Sequence, residues 1–159
     1  LYVGRLSQEI QQAHRTGLGA AGAGSASFIL GGQISGTRPD LLLVYPEGNY
    51  IRASDERPFL QIGESKYGKF MLELAVHAKL GLEAAVRLAL SSMISTARAN
   101  LSVGPPYDLA VYRNGSLELA EHRIDAASDY LGALQKAWVR HLTAAVDQLP
   151  PVPPDLLGH

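Results

Sequence analysis

Apolar and polar positions alternate with two different periods along this chain, and the changes between them divide it into segments. Tyr2, Leu6, Ile10 and Ala13 recur at helical spacing, with Arg5, Gln8, Glu9 and Gln12 between them, which predicts an amphipathic helix from the first residues onward. Gly17 to Ser27 is rich in Gly and Ala and reads as a connection. Short strand-like runs follow: Ser27 to Ile34, with Gly31-Gly32 as a bulge or close-approach point, then Leu41 to Tyr45, Tyr50 to Ala53 and Phe59 to Ile62. Pro46-Glu47-Gly48-Asn49 is a turn, since Pro fixes φ and Gly accepts a positive one. Strands joined by turns this short imply antiparallel pairing.

The period then becomes helical. Lys66 to Val76 predicts one helix, and His77 to Gly81 interrupts the pattern. Leu82 to Asn100 predicts a second, largely buried helix with Ala85, Leu88, Ala89, Ser92, Met93 and Thr96 along one stripe. Tyr107 to Tyr112 and Ser116 to Ile124 flank Asn114-Gly115, a strong hairpin signal. Leu131, Leu134, Trp138, Leu142, Ala145 and Leu149 mark a closing helix, which Pro150, Pro151, Pro153 and Pro154 stop. Blocks of strands beside helices place the chain in the α+β class, as one domain over residues 1–149 with a proline-rich, exposed tail over 150–159.

Composition narrows the possible chemistry. The 159 residues are 47% hydrophobic and 18% charged, enough apolar content for a packed core. A net charge of −1 argues against nucleic-acid binding, which needs clustered cations for phosphate. No apolar run is long enough to span a membrane. The absence of cysteine removes disulfides, thiolate metal sites and a cysteine nucleophile, and fits a reducing cytoplasm. His14, His77, His122, His141 and His159 show no metal-ligand spacing, so no metal is expected. Gly17-Leu18-Gly19-Ala20-Ala21-Gly22 matches a dinucleotide fingerprint, but here a helix precedes it and a strand follows it. That is the reverse of what pyrophosphate binding requires, so no cofactor is expected.

Two junctions carry candidate chemistry. Gly63-Glu64-Ser65-Lys66-Tyr67-Gly68 joins a strand to a helix start, where Ser65 reads equally as an N-cap and as a hydroxyl aimed into a site. Asn100-Leu101-Ser102-Val103-Gly104-Pro105-Pro106 leaves the buried helix. Its composition is that of a helix stop, with Asn100 at the C-cap. The functional alternative sets Asn100 and Ser102 beside a catalytic group, with Thr96 and Arg98 in support from the last helical turn.

Phe28-Ile29-Leu30-Gly31-Gly32, Leu42-Leu43-Val44-Tyr45-Pro46-Glu47-Gly48 and Gln61-Ile62-Gly63-Glu64-Ser65 together resemble the proteasome β-subunit superfamily. That superfamily shows a G-G strand, a Y-x-x-D-P-x-G turn and an A-x-G-S-G strand end in this order. More narrowly, Tyr45 to Asn49, Gln61 to Gly68, Asn100 to Pro106 and Asp108 to Arg113 are similar to Anbu, the bacterial proteasome-like family, and the likeness runs to about Leu149. The resemblance implies a four-layer αββα sandwich of mainly antiparallel sheets whose N-terminal strands precede Leu1, so that residues 1–149 are the C-terminal two-thirds of that single domain. It also implies an N-terminal-nucleophile hydrolase of the bacterial cytoplasm that assembles with copies of itself into rings or spirals and takes peptide or protein substrates.

In that family the nucleophile is a threonine at the mature N-terminus, supported by an aspartate and a lysine on early strands; all three would lie before Leu1. Thr16, Thr37, Thr96 and Thr143 are internal and offer no α-amine beside the hydroxyl. The superfamily's serine after the strand-end glycine corresponds here to Glu64 or Ser65. Its aspartate and serine on a helix-leaving loop correspond to Asn100 and Ser102, with an amide in place of a carboxylate. Glu64 is then the candidate source of the missing negative charge. The chain alone is expected to be inactive. The alternatives are a non-catalytic assembly subunit of the same fold and an N-terminal-nucleophile amidohydrolase acting on small amides.

Overall fold

The structure is a computed structural model and describes residues 2–13 and 25–158. The glycine-rich fingerprint, His14, Thr16 and His159 lie outside the described residues.

Helix α1 (Tyr2–Ala13) carries the expected amphipathic pattern and grips the turn of the first sheet. Gly4 is buried against Gly48, the Gln8 side-chain amide donates to the Glu47 carbonyl, and Gln11 Nε2 donates to the Pro46 carbonyl at 3.1 Å. The first sheet is antiparallel, β1 (Phe28–Gly32), β2 (Asp40–Val44) and β3 (Tyr50–Arg52) in that order. β1 pairs with β2 from Phe28 opposite Val44 to Gly32 opposite Asp40 without interruption, so Gly31-Gly32 makes no bulge. The β2–β3 turn closes as expected, with Gly48 at φ +86° and its N–H on the Tyr45 carbonyl at 2.9 Å.

Phe59 to Ile62 departs from expectation. Its composition suits a strand, but no ladder partner for it exists among the described residues, and it forms no strand. A strand is defined by its neighbour's hydrogen bonds, which side-chain pattern does not supply.

Helix α2 (Lys69–Ala75) is shorter than Lys66 to Val76, and α3 (Leu82–Ala99) nearly fills its expected span. The buried positions of α3 are Leu90, Ser91, Ser92, Ile94 and Thr96; Ala89 and Met93 of the expected stripe are exposed. Leu90 and Ile94 enter the core, while Ser92 and Thr96 meet Gly68: a methyl there would lie 3.0 Å from Thr96 Oγ1 and 3.1 Å from the Ser92 carbonyl, so small polar residues form that contact.

The second sheet pairs β4 (Tyr107–Tyr112) with β5 (Leu119–Ile124), Tyr107 opposite Ile124. Asn114-Gly115 does not make a two-residue hairpin. The connection runs from Arg113 to Glu118, with Gly115 at φ +80° and Leu117 at φ +54°. Helix α4 (Asp129–Asp147) starts at an N-cap, Ser128, whose hydroxyl accepts from the Leu131 N–H at 3.3 Å. The tail is exposed, as expected, but it ends in a 3-10 turn (Pro154–Leu157) in place of extended polyproline.

Leu90, Ile94, Tyr107 and Leu131 form a core between α3, α4 and the second sheet, joined by Ile124 and Trp138. Trp138 Nε1–H donates to Ser95 Oγ at 2.9 Å, and that hydroxyl donates on to Met71 Sδ at 3.8 Å, which joins α4, α3 and the segment of α2. Gln33 bridges the sheets. Its Oε1 accepts from Tyr112 Oη at 2.5 Å and the Gly115 N–H at 2.8 Å; its Nε2 donates to the Thr37 carbonyl at 2.6 Å and Asn114 Oδ1 at 2.8 Å. The fold is α+β, with helices on two small antiparallel sheets.

Candidate functional site

Gly63, at φ +78°, turns the chain away from the Phe59–Ile62 run and presents Glu64 to solvent. On the facing segment, α3 ends at Asn100, whose N–H still donates to the Thr96 carbonyl at 2.9 Å while its backbone becomes extended. Asn100 is therefore the C-cap, as its position suggested, and Ser102 follows on a loop that includes a cis Pro105-Pro106 bond.

The two junctions meet through side chains. Glu64 Oε1 accepts from the Lys66 N–H at 3.1 Å, and Oε2 accepts from Asn100 Nδ2 at 3.1 Å. Asn100 Oδ1 accepts from the Ser102 N–H at 2.9 Å and from Ser102 Oγ at 2.7 Å. The chemistry of the ends fixes the direction of this chain. An ionised carboxylate only accepts, so Asn100 turns its NH2 to Glu64 and its oxygen to Ser102. Ser102 must then spend its proton on Asn100, which leaves its oxygen lone pairs free. The array is polarised from the Glu64 charge towards the Ser102 oxygen, and its open end suits an N–H or ammonium donor.

Glu64, Asn100 and Ser102 are thus brought together and Ser65 is not among them. Nor does Ser65 cap α2: the N-cap residue is Gly68, without a side-chain bond, and Ser65 contributes only its carbonyl, to the Lys69 N–H at 3.1 Å. Ser65 instead lines a separate groove of about 630 Å³ with Leu43, Tyr45, Phe59 and Gln61, and the Oε1 of Gln61 is buried there without a hydrogen-bond partner among the described residues. Thr96 takes no part in the array, because its hydroxyl donates inward to the Ser92 carbonyl at 2.9 Å. Arg98 is exposed in the last turn of α3. The Lys66 amide is the contributor that sequence reading missed; its only signal is its place two residues after an acidic side chain at a turn.

Among the described residues no three His, Asp or Glu side chains gather as a metal site, and no helix is long and apolar enough to cross a membrane.

Neither a protein-family model nor a curated protein sequence matches the chain. Solved structures do. Anbu from Pseudomonas aeruginosa, solved as a helical assembly of the Anbu complex, superimposes with a TM-score of 0.89 at 40% identity over 96% of this chain and 64% of its own. A Gly-1 mutant of Anbu from Hyphomicrobium sp. strain MC1 gives 0.85 at 39% identity, over 95% of this chain and 63% of its own. This chain belongs to the Anbu family. Anbu from Yersinia bercovieri, described as an ancestral beta-subunit, is similar at 34% identity with a TM-score of 0.84, over 94% of this chain and 63% of its own. The chain therefore spans less than two thirds of the length of these Anbu structures.

Proposed function

We propose that the intact protein is a subunit of a self-assembling, proteasome-like bacterial peptidase that hydrolyses amide bonds through an N-terminal threonine outside these 159 residues. Membership of the Anbu family supports this reading, and the observation that carries it is the directed array Glu64–Asn100–Ser102. A threonine hydroxyl is a weak nucleophile at neutral pH and needs an adjacent base. Its own α-amine, with an unperturbed pKa of about 7.7 to 8.0, is matched to that task. For the amine to take the hydroxyl proton, its lone pair must face the hydroxyl and its N–H bonds must be held elsewhere. Ser102 Oγ, with its own O–H donated in a hydrogen bond to Asn100 Oδ1, is an acceptor for one of them. Glu64 supplies the negative charge that strengthens that acceptor. Copies of the same chain, in a ring or spiral, and a peptide or protein substrate are the partners.

The test is a pH profile of kcat/KM for intact protein and Glu64→Gln, with the mature N-terminus determined by mass spectrometry. A threonine is expected at that terminus. The variant is expected to lose roughly 10-fold in rate, less than the ~10²–10⁴-fold of a direct acid–base group because Glu64 acts through Asn100 and Ser102, with its profile displaced in pH. Unchanged activity across pH would remove Glu64 from the mechanism, and a mature terminus without a Thr would remove the mechanism itself. Residues 1–159 alone are expected to show no peptide hydrolysis.

A further inference from the structure

Each end of the Glu64–Asn100–Ser102 array is anchored by a backbone N–H. That of Lys66 holds Glu64 Oε1 at 3.1 Å, and that of Ser102 holds Asn100 Oδ1 at 2.9 Å. A backbone N–H only donates, so these two contacts decide which atom of each side chain is left to face the other loop. What meets there is Glu64 Oε2 and Asn100 Nδ2, at 3.1 Å. The ion pairs among the described residues leave Glu64 out, so amide N–H groups hold its carboxylate. Of the cations nearest in sequence, Lys66 Nζ lies 5.8 Å from the centroid of the Tyr67 ring, and Arg98 is exposed in the last turn of α3.

We propose that Asn100 is a positioning residue, and that the array needs one carboxylate and one amide in either order, so that the charge can be exchanged between positions 64 and 100. In the double variant Glu64→Gln/Asn100→Asp, the new amide offers its oxygen to the Lys66 N–H and its NH2 to the new carboxylate. The other oxygen of that carboxylate still accepts from the Ser102 N–H and Oγ. Donor and acceptor change places at a single contact, and the Ser102 oxygen keeps its free lone pairs. The native order has its own cause. Asn100 is the C-cap of an 18-residue helix, and a negative charge there would sit at the negative end of the helix dipole. Asn100→Asp alone sets two carboxylates against each other where the amide now bridges. They repel, so the pair holds a shared proton to higher pH than either group would by itself. The inference rests on the function proposed above and extends the mechanism from Glu64 to the side chain that hands its charge on.

The test is a double-mutant cycle on the intact protein, read as pH profiles of kcat/KM for wild type, Glu64→Gln, Asn100→Asp and the double variant, with circular dichroism and thermal midpoints alongside. Glu64→Gln is expected to lose roughly 10-fold. Asn100→Asp is expected to lose activity relative to wild type as pH rises and the second carboxylate ionises. The double variant is expected to regain roughly the lost 10-fold and the wild-type profile, where independent sites would only add their losses. Its thermal midpoint is expected to stay below that of wild type, because the charge now lies at the helix end. A double variant no better than the worse single overturns the exchange and leaves the threonine mechanism standing. Recovery of the thermal midpoint without the pH profile marks a structural contact only and overturns it too. An unimpaired Glu64→Gln removes the charge from the mechanism and this inference with it. Wild-type protein that hydrolyses no peptide overturns both readings. Should a single variant fail to fold, the double variant against wild type decides by itself.

Discussion

Gly4 and Gly48 meet with no space between their backbones: a methyl on Gly4 would sit 2.9 Å from both the carbonyl carbon and the Cα of Gly48. Helix α1 reaches the β2–β3 turn this closely because its residue there has no side chain, and Gln8 and Gln11 then reach the Glu47 and Pro46 carbonyls.

Gly4→Ala is therefore expected to destabilise the chain. Alanine ordinarily improves a helix interior by about 1 kcal/mol over glycine. Here the neighbour is backbone and cannot rotate away, and overpacking of about 1–3 kcal/mol opposes that gain. Gly132 in α4 is the control, since a methyl there meets nothing within 4 Å. Gly132→Ala should raise the thermal midpoint and Gly4→Ala lower it; equal shifts in calorimetry would refute the close approach.

Gln33→Ala should loosen the joint between the two sheets. It strips the Tyr112 hydroxyl and the Gly115 N–H of their acceptor at once. A loss of about 1–3 kcal/mol is expected, near the lower end because the loop is solvent-exposed. Faster hydrogen exchange at Gly115 is the specific readout, and unaltered exchange there would show that the bridge holds nothing in place.

Tyr107 gives the fold an alkaline limit. Burial pushes its hydroxyl above the ordinary 10.0. In the unfolded chain the residue ionises first, so its contribution is complete below about pH 10 and is lost as pH rises through the raised folded value. Tyr107→Phe removes that titration. Its thermal midpoint should fall less steeply than wild type between about pH 9 and 11; parallel slopes would assign the limit to other groups.

Asn100→Ala should cut the array in the middle. The Ser102 N–H loses its acceptor and Glu64 loses its link to the second loop. Protection of the Ser102 amide from exchange is expected to fall while that of α3 stays, at a cost of about 0.5–1.5 kcal/mol. Retained protection at Ser102 would mean that the loop is shaped by its prolines and not by this side chain.

Much of this arrangement was legible in the sequence, for local reasons. The Tyr107–Tyr112 strand, the Pro46–Asn49 turn and the stop at Asn100 follow from alternation, Pro and Gly chemistry and capping, all carried by neighbouring residues. What failed needed distant ones. Phe59 to Ile62 has strand composition without a partner among the described residues; Asn114-Gly115 supplied the left-handed residue but not the loop length; and Ser92 and Thr96 of α3 are buried where Gly68 comes close, which hydrophobic periodicity cannot register. At the candidate site the segment leaving α3 offered Asn100 and Ser102, and the resemblance to Anbu added Glu64. The separation of Ser65 from them, and the direction of the hydrogen bonds, came only from the geometry.

Trp138 is the only tryptophan in the chain, and its indole N–H ends on Ser95 within the helix layer. Excited at wavelengths that the seven tyrosines do not absorb, intrinsic emission thus has a single source at a known address. A change in its colour would register slippage of α4 over α3 or of the second sheet against them, and the first sheet could rearrange in optical silence.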